Sequence, residues 1–192
     1  KDLSIASSEK NELNKVVLGF NVKLKEKTKV KVINHDVIYK IIDDYKEWRK
    51  VKLIELETAE LKGVTLPCKI LLMPGYIFRQ NNPAVVGVDV LTGTLKAGMP
   101  LMKEGKQICE VKSIQEEGKN ISEAEKGKQV AVALTNVTVG RQINTKDILY
   151  SSISEEEFRK LKKLKKYLTI DQMQTLKEIA EIKRKTKATW GI

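Results

Sequence analysis

Apolar and polar residues alternate through residues 64–150, a pattern typical of β-strands that bury one face. The candidate strands are residues 67–73, 84–90, 106–115, 128–134 and 147–150. Turn-forming pairs separate them, namely Pro74-Gly75, Asn82-Pro83, Thr92-Gly93, Glu104-Gly105 and Glu117-Gly118. Short strands at this spacing predict a β-sandwich or a β-barrel.

Two stretches before residue 36 also have the composition of strands. Residues 15–24 are rich in apolar and β-branched side chains, and residues 29–33 alternate strictly. Neither stretch could form a domain by itself. We therefore expect residues 1–35 to belong to a larger domain, or to lack a segment between the two strands.

Residues 36–62 carry apolar side chains at spacings of three and four, which predicts one long amphipathic helix. Asn34 or Asp36 is the expected N-terminal cap, and Gly63 is the expected stop. At 1.5 Å per residue the helix is roughly 40 Å long. We expect its first half to pack on a domain and its second half to be more exposed. Two shorter helices separated near residues 49–50 are the alternative.

Residues 154–187 return to a helical period. Ser154 with Glu157, and Thr169 with Gln172, have the spacing of capping boxes, so two helices are expected to begin there. The short link between these helices predicts an antiparallel helical hairpin.

The predicted hairpin cannot bury both of its apolar faces by itself, so we expect it to form a groove. The expected lining residues are Leu161, Leu164, Leu168, Met173, Leu176, Ile179 and Trp190. The expected basic rim consists of Lys162, Lys163, Lys165, Lys166, Lys183 and Arg184. An apolar groove with a basic rim suits an acidic amphipathic peptide. Binding of RNA phosphates by the rim and docking of the hairpin on the barrel are the alternatives.

The formal net charge of +11 favours a polyanionic partner, most often a nucleic acid. A lysine-rich solubilising surface is the alternative explanation. No run of apolar residues approaches the length of a transmembrane helix, so we expect no membrane association.

The sequence contains no recognisable catalytic constellation. Each Gly-Lys pair is followed by Gln or Asn rather than the hydroxyl residue of a phosphate-binding loop. Cys68, Cys109 and His35 do not have the spacing of a zinc site, and His35 has no evident nucleophilic partner. We therefore expect this chain to bind no metal or cofactor and to catalyse no reaction.

The segment 76–83 brings an aromatic residue, a cation and three amides between two predicted strands, and a second polar corner follows near residue 141. The candidate RNA-binding residues are Phe78, Arg79, Gln80, Asn81, Asn82 and Arg141. Aromatic rings can stack on bases, guanidinium groups can bind phosphates, and amides can bond base edges. The alternative is that Tyr76 and Phe78 are core residues and that the amides simply form turns.

The stretch VVGVDVLTGTLKAGMPLM, residues 85–102, resembles the second-domain β-barrel of translational GTPases. In those barrels an apolar strand leads through a glycine turn into a short strand that ends at Ala-Gly. Together with VVLGFNVKL, NHDVIYKIIDDYKEW and the terminal Trp-Gly-Ile, the chain is similar to the C-terminal part of archaeal and eukaryotic translation initiation factor 5B. The bacterial relative is initiation factor two.

This resemblance implies an α+β arrangement of four segments. They are the end of an α/β domain III (1–35), a long connecting helix (36–63), an antiparallel β-barrel domain IV (64–150) and a C-terminal two-helix hairpin (151–192). The family has a crossover helix between the two domain III strands, and the segment between the strands is too short to hold one.

The resemblance also implies a function. The barrel is expected to hold the aminoacylated acceptor end of initiator methionyl-tRNA on the ribosome, with Asp89 added to the barrel candidates. The whole factor is expected to promote subunit joining in the cytoplasm, with GTP and Mg²⁺ bound in an upstream domain. The hairpin groove is expected to bind the tail of initiation factor 1A. A tRNA-delivering elongation-type factor and a protein adaptor that binds no RNA are the alternatives.

Overall fold

A computed structural model describes residues 2–23 and 30–192. The chain divides into two compact units, Lys1–Lys62 and Gly63–Ile192. Among the described residues, no helix has the length and apolar content required to span a bilayer.

The first unit is a small mixed α/β structure. Its elements are helix α1 (Asp2–Ser8), a short 3-10 helix (Glu12–Asn14), strand β1 (Val16–Phe20), strand β2 (Lys31–His35) and helix α2 (Ile38–Leu61). The two strands pair in parallel, from Val16 opposite Lys31 to Phe20 opposite His35. Both predicted strands are therefore present. Residues 24 and 29, at the margins of the predicted stretches, lie outside the described residues, as does most of the connection on which the crossover argument rests.

Helix α2 is continuous, so the alternative of two helices separated near residues 49–50 is wrong. The predicted side-chain cap is also wrong, because the N-cap is Val37, which offers no side-chain hydrogen bond. Asn34 instead donates from Nδ2 to the carbonyl oxygen of Val22 at 2.7 Å. Ile41 is buried, but Ile38 and other residues of the stripe remain exposed, so the first half of α2 packs less than expected.

The second unit, all of whose residues are described, contains the β-structure. Its strands are β3 (Lys69–Arg79), β4 (Ala84–Thr92), β5 (Thr94–Lys96), β6 (Pro100–Lys103), β7 (Lys106–Glu116), β8 (Lys119–Ile121), β9 (Glu123–Glu125), β10 (Gln129–Thr135) and β11 (Ile148–Ser151). Six of these strands form a ring in the order β10, β4, β3, β11, β6 and β7, and β7 pairs back onto β10. The pairings around the ring are antiparallel. The structure is therefore a closed antiparallel barrel rather than a sandwich.

Aliphatic side chains at alternate strand positions fill the barrel. Along β10, for example, Val130, Val132 and Leu134 are buried, whereas the residues between them are half-buried. Burying one such side chain contributes about 1.5–3 kcal/mol. Within the described residues, every buried side-chain nitrogen or oxygen has a hydrogen-bond partner.

Strand β3 is longer than the sequence predicts. Pro74-Gly75 was expected to be a turn, but the strand continues through it as a bulge, and its register moves from Leu72 opposite Val88 to Ile77 opposite Val86. Gly75 has a φ of +82°, which a glycine adopts without strain. All residues of β3 beyond the bulge are exposed.

The turn between β4 and β5 depends on a close backbone approach at Gly93. Its φ is +73°, and a Cβ added there would lie only 2.1 Å from the carbonyl oxygen of Pro67. Because Gly93 has no Cβ, the turn between β4 and β5 can pass directly against the backbone of Pro67, just before β3.

The hairpin after the barrel consists of helix α3 (Glu155–Lys163), a 3-10 turn (Lys165–Tyr167) and helix α4 (Ile170–Thr186). Both predicted capping boxes are confirmed, at Ser154 and at Thr169. Lys187, after α4, forms an ion pair of 2.8 Å with Glu155 at the start of α3, so the two helices are antiparallel as predicted.

Helix α4 docks on the barrel through polar contacts. The hydroxyls of Thr175 and Thr92 lie 2.6 Å apart. The Glu178 carboxylate accepts hydrogen bonds from Lys69 at 2.8 Å and from the Tyr150 hydroxyl at 3.0 Å. The hairpin thus docks on the barrel with α4, which was one of the alternatives to a groove that binds a peptide.

Replacing Gly93 by alanine should destabilise the barrel, because the new Cβ meets the Pro67 carbonyl oxygen and the φ of +73° is unfavourable for alanine. We expect the free energy of unfolding to fall by roughly 2–5 kcal/mol. The measurement is urea denaturation of the whole chain, with unfolding monitored by circular dichroism.

Gly98→Ala is the matched control, because Gly98 has a φ of +80° and nothing lies within 4 Å of its added Cβ. It should lose only the cost of the backbone conformation, roughly 1–2 kcal/mol. Equal decreases in the two variants would contradict the role assigned to the close approach to Pro67.

Candidate functional site

The end of β3 and the loop at residues 137–143 form one end of the barrel. The backbone N–H of Val139 donates to the carbonyl oxygen of Gln80 at 2.9 Å, which holds the two segments together. Phe78 and Arg79 are the last residues of β3 rather than loop residues, because the strand continues through the bulge. The connection to β4 begins at Gln80.

Arg141 occupies the tip of a tightly bonded corner in the second of these segments. The N–H of Gly140 donates to the carbonyl oxygen of Ile143 at 2.8 Å, and the N–H of Thr138 donates to the side chain of Gln142 at 2.7 Å. These bonds fix the backbone while the Arg141 side chain stays exposed. Its guanidinium group can therefore turn towards a ligand without disturbing the loop.

The cations at this end of the barrel are not neutralised. Neither Arg79 nor Arg141 forms an ion pair with any residue that the structure describes. The side chain of Phe78 is 64% exposed beside them. An exposed ring can stack on a base, and free guanidinium groups at the same end of the barrel can bind phosphates.

Six of the seven predicted acceptor-end residues meet at this end of the barrel, namely Phe78, Arg79, Gln80, Asn81, Asn82 and Arg141. The seventh, Asp89, does not join them. It is half-buried within β4 opposite Leu71, on the other side of the bulge. Five residues along a strand place it about 16 Å from Ala84.

Tyr76 and Ile77 extend the exposed apolar surface beside Phe78, and sequence reasoning did not assign them to the site. Tyr76 is 51% exposed and packs across Gly87, where an added Cβ would lie 2.6 Å from the Tyr76 Cβ. In the sequence, the only sign of this exposed surface is the Pro74-Gly75 pair. The pair indicates that the strand is irregular there, but not which way the strand turns.

Helices α3 and α4 enclose a groove of about 380 Å³. Its apolar lining consists of Phe158, Met173, Leu176 and Ala180. Its charged lining consists of Lys162, Lys165, Lys177, Glu181 and Arg184. Four cations against one carboxylate give the groove a positive potential over an apolar floor.

The groove differs from the predicted set of residues. Met173 and Leu176 line it, but five predicted residues are buried in the interior instead, namely Leu161, Leu164, Leu168, Ile179 and Trp190. On the rim, Lys162, Lys165 and Arg184 are present, whereas Lys163, Lys166 and Lys183 do not line the groove. The reason is that docking of α4 on the barrel turns part of each apolar face inward. Phe158 and Lys177 were not predicted.

The residues after α4 contact two lining residues of the groove, Phe158 and Arg184. The ring of Trp190 packs on Phe158 with a centroid separation of 4.7 Å. Arg184 donates from Nε to the carbonyl oxygen of Trp190 at 3.0 Å. Trp190 therefore fixes a lining residue without lining the groove itself.

Comparisons with known proteins agree with this architecture. A family model described as "Elongation factor Tu domain 4" matches residues 66–150. The probable translation initiation factor IF-2 of Hyperthermus butylicus is 41% identical over 98% of this chain and 32% of that protein. The probable translation initiation factor IF-2 of Archaeoglobus fulgidus is 38% identical over 100% of this chain and 34% of that protein.

A crystal structure of GDP-bound aIF5B from Aeropyrum pernix matches at 34% identity with a TM-score of 0.67, covering 92% of this chain and 31% of that one. The chain corresponds to the C-terminal part of archaeal translation initiation factors of the IF-2 and aIF5B type. It spans about a third of the length of the relatives that it matches.

The two cysteines of the chain are buried and unpaired. Burial raises the pKa of Cys68 and of Cys109 to about 12. Both side chains therefore remain neutral thiols at physiological pH, which is the wrong state for a nucleophile. The described part of the chain also contains no group of three or more His, Cys, Asp or Glu residues that could hold a metal ion.

We predict that Cys68 and Cys109 react with a disulfide reagent such as DTNB at pH 8 only after denaturation in guanidinium. Because the pKa values of both thiols are higher in the folded than in the unfolded chain, the neutral thiols stabilise the folded chain. This contribution to the free energy of unfolding is complete below the unfolded pKa of about 8.5. It is lost as the pH rises towards 12. Rapid labelling of either thiol in the native chain would contradict this assignment.

Proposed function

We propose that this part of an initiation factor 5B holds the aminoacylated acceptor end of initiator methionyl-tRNA on the ribosome. The observation that carries the proposal is that Phe78, Arg79 and Arg141 are all exposed on two segments bonded to each other at one end of the barrel. The hydrogen bond from the Val139 N–H to the Gln80 carbonyl oxygen holds both segments at one end of the barrel.

Each kind of side chain there has a distinct role in this proposal. Phe78, with Tyr76 and Ile77 beside it, offers an apolar surface for an unstacked base or the methionyl side chain. Arg79 and Arg141 bind the phosphates of the single-stranded acceptor end. The exposed amides of residues 80–82 bond base edges, which gives the site selectivity that phosphate contacts alone lack.

The activity of the whole factor extends beyond this chain. We propose that the parent protein binds GTP and Mg²⁺ in an upstream domain and promotes joining of the ribosomal subunits in the cytoplasm. In this proposal the present chain supplies binding surfaces and no catalytic group.

For the groove between α3 and α4, we propose the acidic and apolar C-terminal tail of initiation factor 1A as the ligand. Met173 and Leu176 offer an apolar floor, and Lys177 and Arg184 lie beside it. An amphipathic peptide can bury its apolar side chains on such a floor while its carboxylates meet the lysines.

Replacing Arg79 or Arg141 by glutamine should weaken binding of initiator methionyl-tRNA roughly tenfold each, because each change removes one charge-assisted hydrogen bond to a phosphate. The measurement is protection of the aminoacyl ester from hydrolysis as a function of protein concentration. Lys119→Gln is the charge-matched control, because Lys119 lies on β8, outside the barrel ring.

If both arginine variants protect the ester as well as the unmodified chain does, the assignment of this site fails. Equal protection of initiator and elongator aminoacyl-tRNA would instead favour the elongation-type alternative. If no aminoacyl-tRNA is protected at low salt, the chain is a protein adaptor.

Replacing Lys177 by glutamate should weaken binding of the initiation factor 1A tail about tenfold or more, because it places like charge beside the carboxylates of the peptide. Met173→Glu should have a similar effect through the floor of the groove. The measurement is isothermal titration calorimetry with a synthetic tail peptide.

Gln174→Glu is the matched control, since Gln174 is exposed on the same helix but does not line the groove. The groove assignment is wrong if Gln174→Glu weakens binding of the peptide as much as Lys177→Glu does.

A further inference from the structure

The charged residues that line the groove between α3 and α4 are unevenly distributed along its length. The 3-10 turn Lys165–Tyr167 joins these two antiparallel helices, so one end of the groove lies at this turn. Among the lining residues of α4, Met173 lies nearest the turn, and Arg184 lies about 16 Å further along at 1.5 Å per residue. We call the two ends of the groove the turn end and the open end.

The open end carries no net charge. Glu181 and Arg184 both line it and lie three residues apart on α4, which makes them neighbours on the helix surface. The guanidinium group of Arg184 is held there, because its Nε donates to the carbonyl oxygen of Trp190 at 3.0 Å. A ligand that enters the open end therefore meets one negative and one positive group.

Three lysines line the rest of the groove, namely Lys162, Lys165 and Lys177. All three are exposed, and none forms an ion pair within the part of the chain that the structure describes. Glu181 is the only carboxylate among the described lining residues. The excess of positive charge therefore lies between the middle of the groove and its turn end.

The apolar floor also differs between the two ends. At the open end it consists of Phe158 and Ala180, and the short side chain of Ala180 leaves room above it. The Phe158 ring is fixed from the other side by Trp190, at a centroid separation of 4.7 Å. It also packs on Gly191, where an added Cβ would lie 2.6 Å from the ring. The open end therefore suits a bulky, uncharged side chain.

We propose that Glu181 determines the direction in which an acidic amphipathic peptide lies in the groove. The carboxylates of the peptide lie over the lysines, and a bulky apolar side chain lies at the open end against Phe158. A peptide turned end for end places its carboxylates beside Glu181 and away from Lys165, so repulsion between like charges disfavours that arrangement. The inference rests on the proposed function, because it concerns the same peptide in the same groove.

The uneven charge favours a peptide over a nucleic acid as the occupant. A nucleic acid carries a phosphate at every nucleotide, so a strand that fills the groove must place negative charge beside Glu181. A peptide can carry its carboxylates at one end only. About five extended residues span the groove, which is enough for an acidic half and an apolar half.

The direction can be measured by NMR with two spin-labelled versions of one synthetic peptide, which has glutamates in one half and leucines in the other. One version carries a nitroxide at the acidic end and the other at the apolar end. In the whole chain, the label at the acidic end should broaden the Met173 methyl resonance more than the Ala180 methyl resonance. The label at the apolar end should give the opposite order.

Glu181→Lys should remove the preferred direction, because both ends of the groove then attract carboxylates. The two methyl resonances should broaden by similar amounts with either label. A second peptide, with glutamates at both ends and leucines in the middle, should bind this variant about threefold more tightly or better than it binds the unmodified chain.

Glu156→Lys is the matched control, because it makes the same change of charge on the same hairpin. Glu156 is exposed on α3 and does not line the groove. This variant should keep the order of broadening and should leave the affinity for the second peptide nearly unchanged. If it acts as Glu181→Lys does, the net charge of the hairpin rather than Glu181 sets the direction, and the inference is overturned.

The remaining outcomes separate this inference from the proposed function. If the factor 1A tail binds but Glu181→Lys changes neither the order of broadening nor the affinity for the second peptide, the groove proposal stands and the role of Glu181 is wrong. If neither the tail nor the synthetic peptides bind, both fail. If a single-stranded oligonucleotide displaces the bound peptide at physiological salt, the groove binds phosphates and the inference is overturned.

Discussion

Closure of the barrel by the pairing of β7 with β10 is the interaction on which the second unit depends. The pairing runs from Ala131 opposite Gln115 to Thr135 opposite Glu110 and removes the last free edges of the ring. It also encloses the aliphatic core, in which Ile114, Val132 and Leu134 are buried. Because the wall is closed, the loops at its end project from fixed positions, and α4 has a defined surface on which to dock.

The contact between α4 and the barrel determines which side of the hairpin remains open. A purely apolar contact would determine how much area α4 buries on the barrel but not its orientation, whereas directional hydrogen bonds determine both. Glu178 provides two such bonds, and its hydrogen bond raises the pKa of Lys69, which remains charged in the contact. Together with the Thr92–Thr175 pair, these bonds hold the groove and the lysines at the end of α4 on the outer surface.

Local sequence patterns predicted five of the six strands of the ring and both capping boxes, because these depend on neighbouring residues alone. They missed the ring strand β6 and the short strands β5, β8 and β9, which have only three or four residues each. They misassigned Pro74-Gly75, since a turn and a bulge use the same residues and the partner strand decides between them. The N-terminus of α2 was misassigned because Asn34 bonds a distant backbone instead of the helix. The groove was only partly predicted, because helical periodicity identifies the apolar faces of the helices but not which face packs on the barrel. The bonds of Thr175 and Glu178 with barrel residues determine that face.

The stacking of Trp190 on Phe158 has a practical consequence for optical spectroscopy. The chain contains two tryptophans, and Trp48 belongs to the other compact unit. Trp190 is buried against the back of a groove-lining ring, so a peptide that displaces Phe158 also changes the surroundings of the indole. With Trp48 replaced by phenylalanine, intrinsic emission becomes a label-free reporter of groove occupancy.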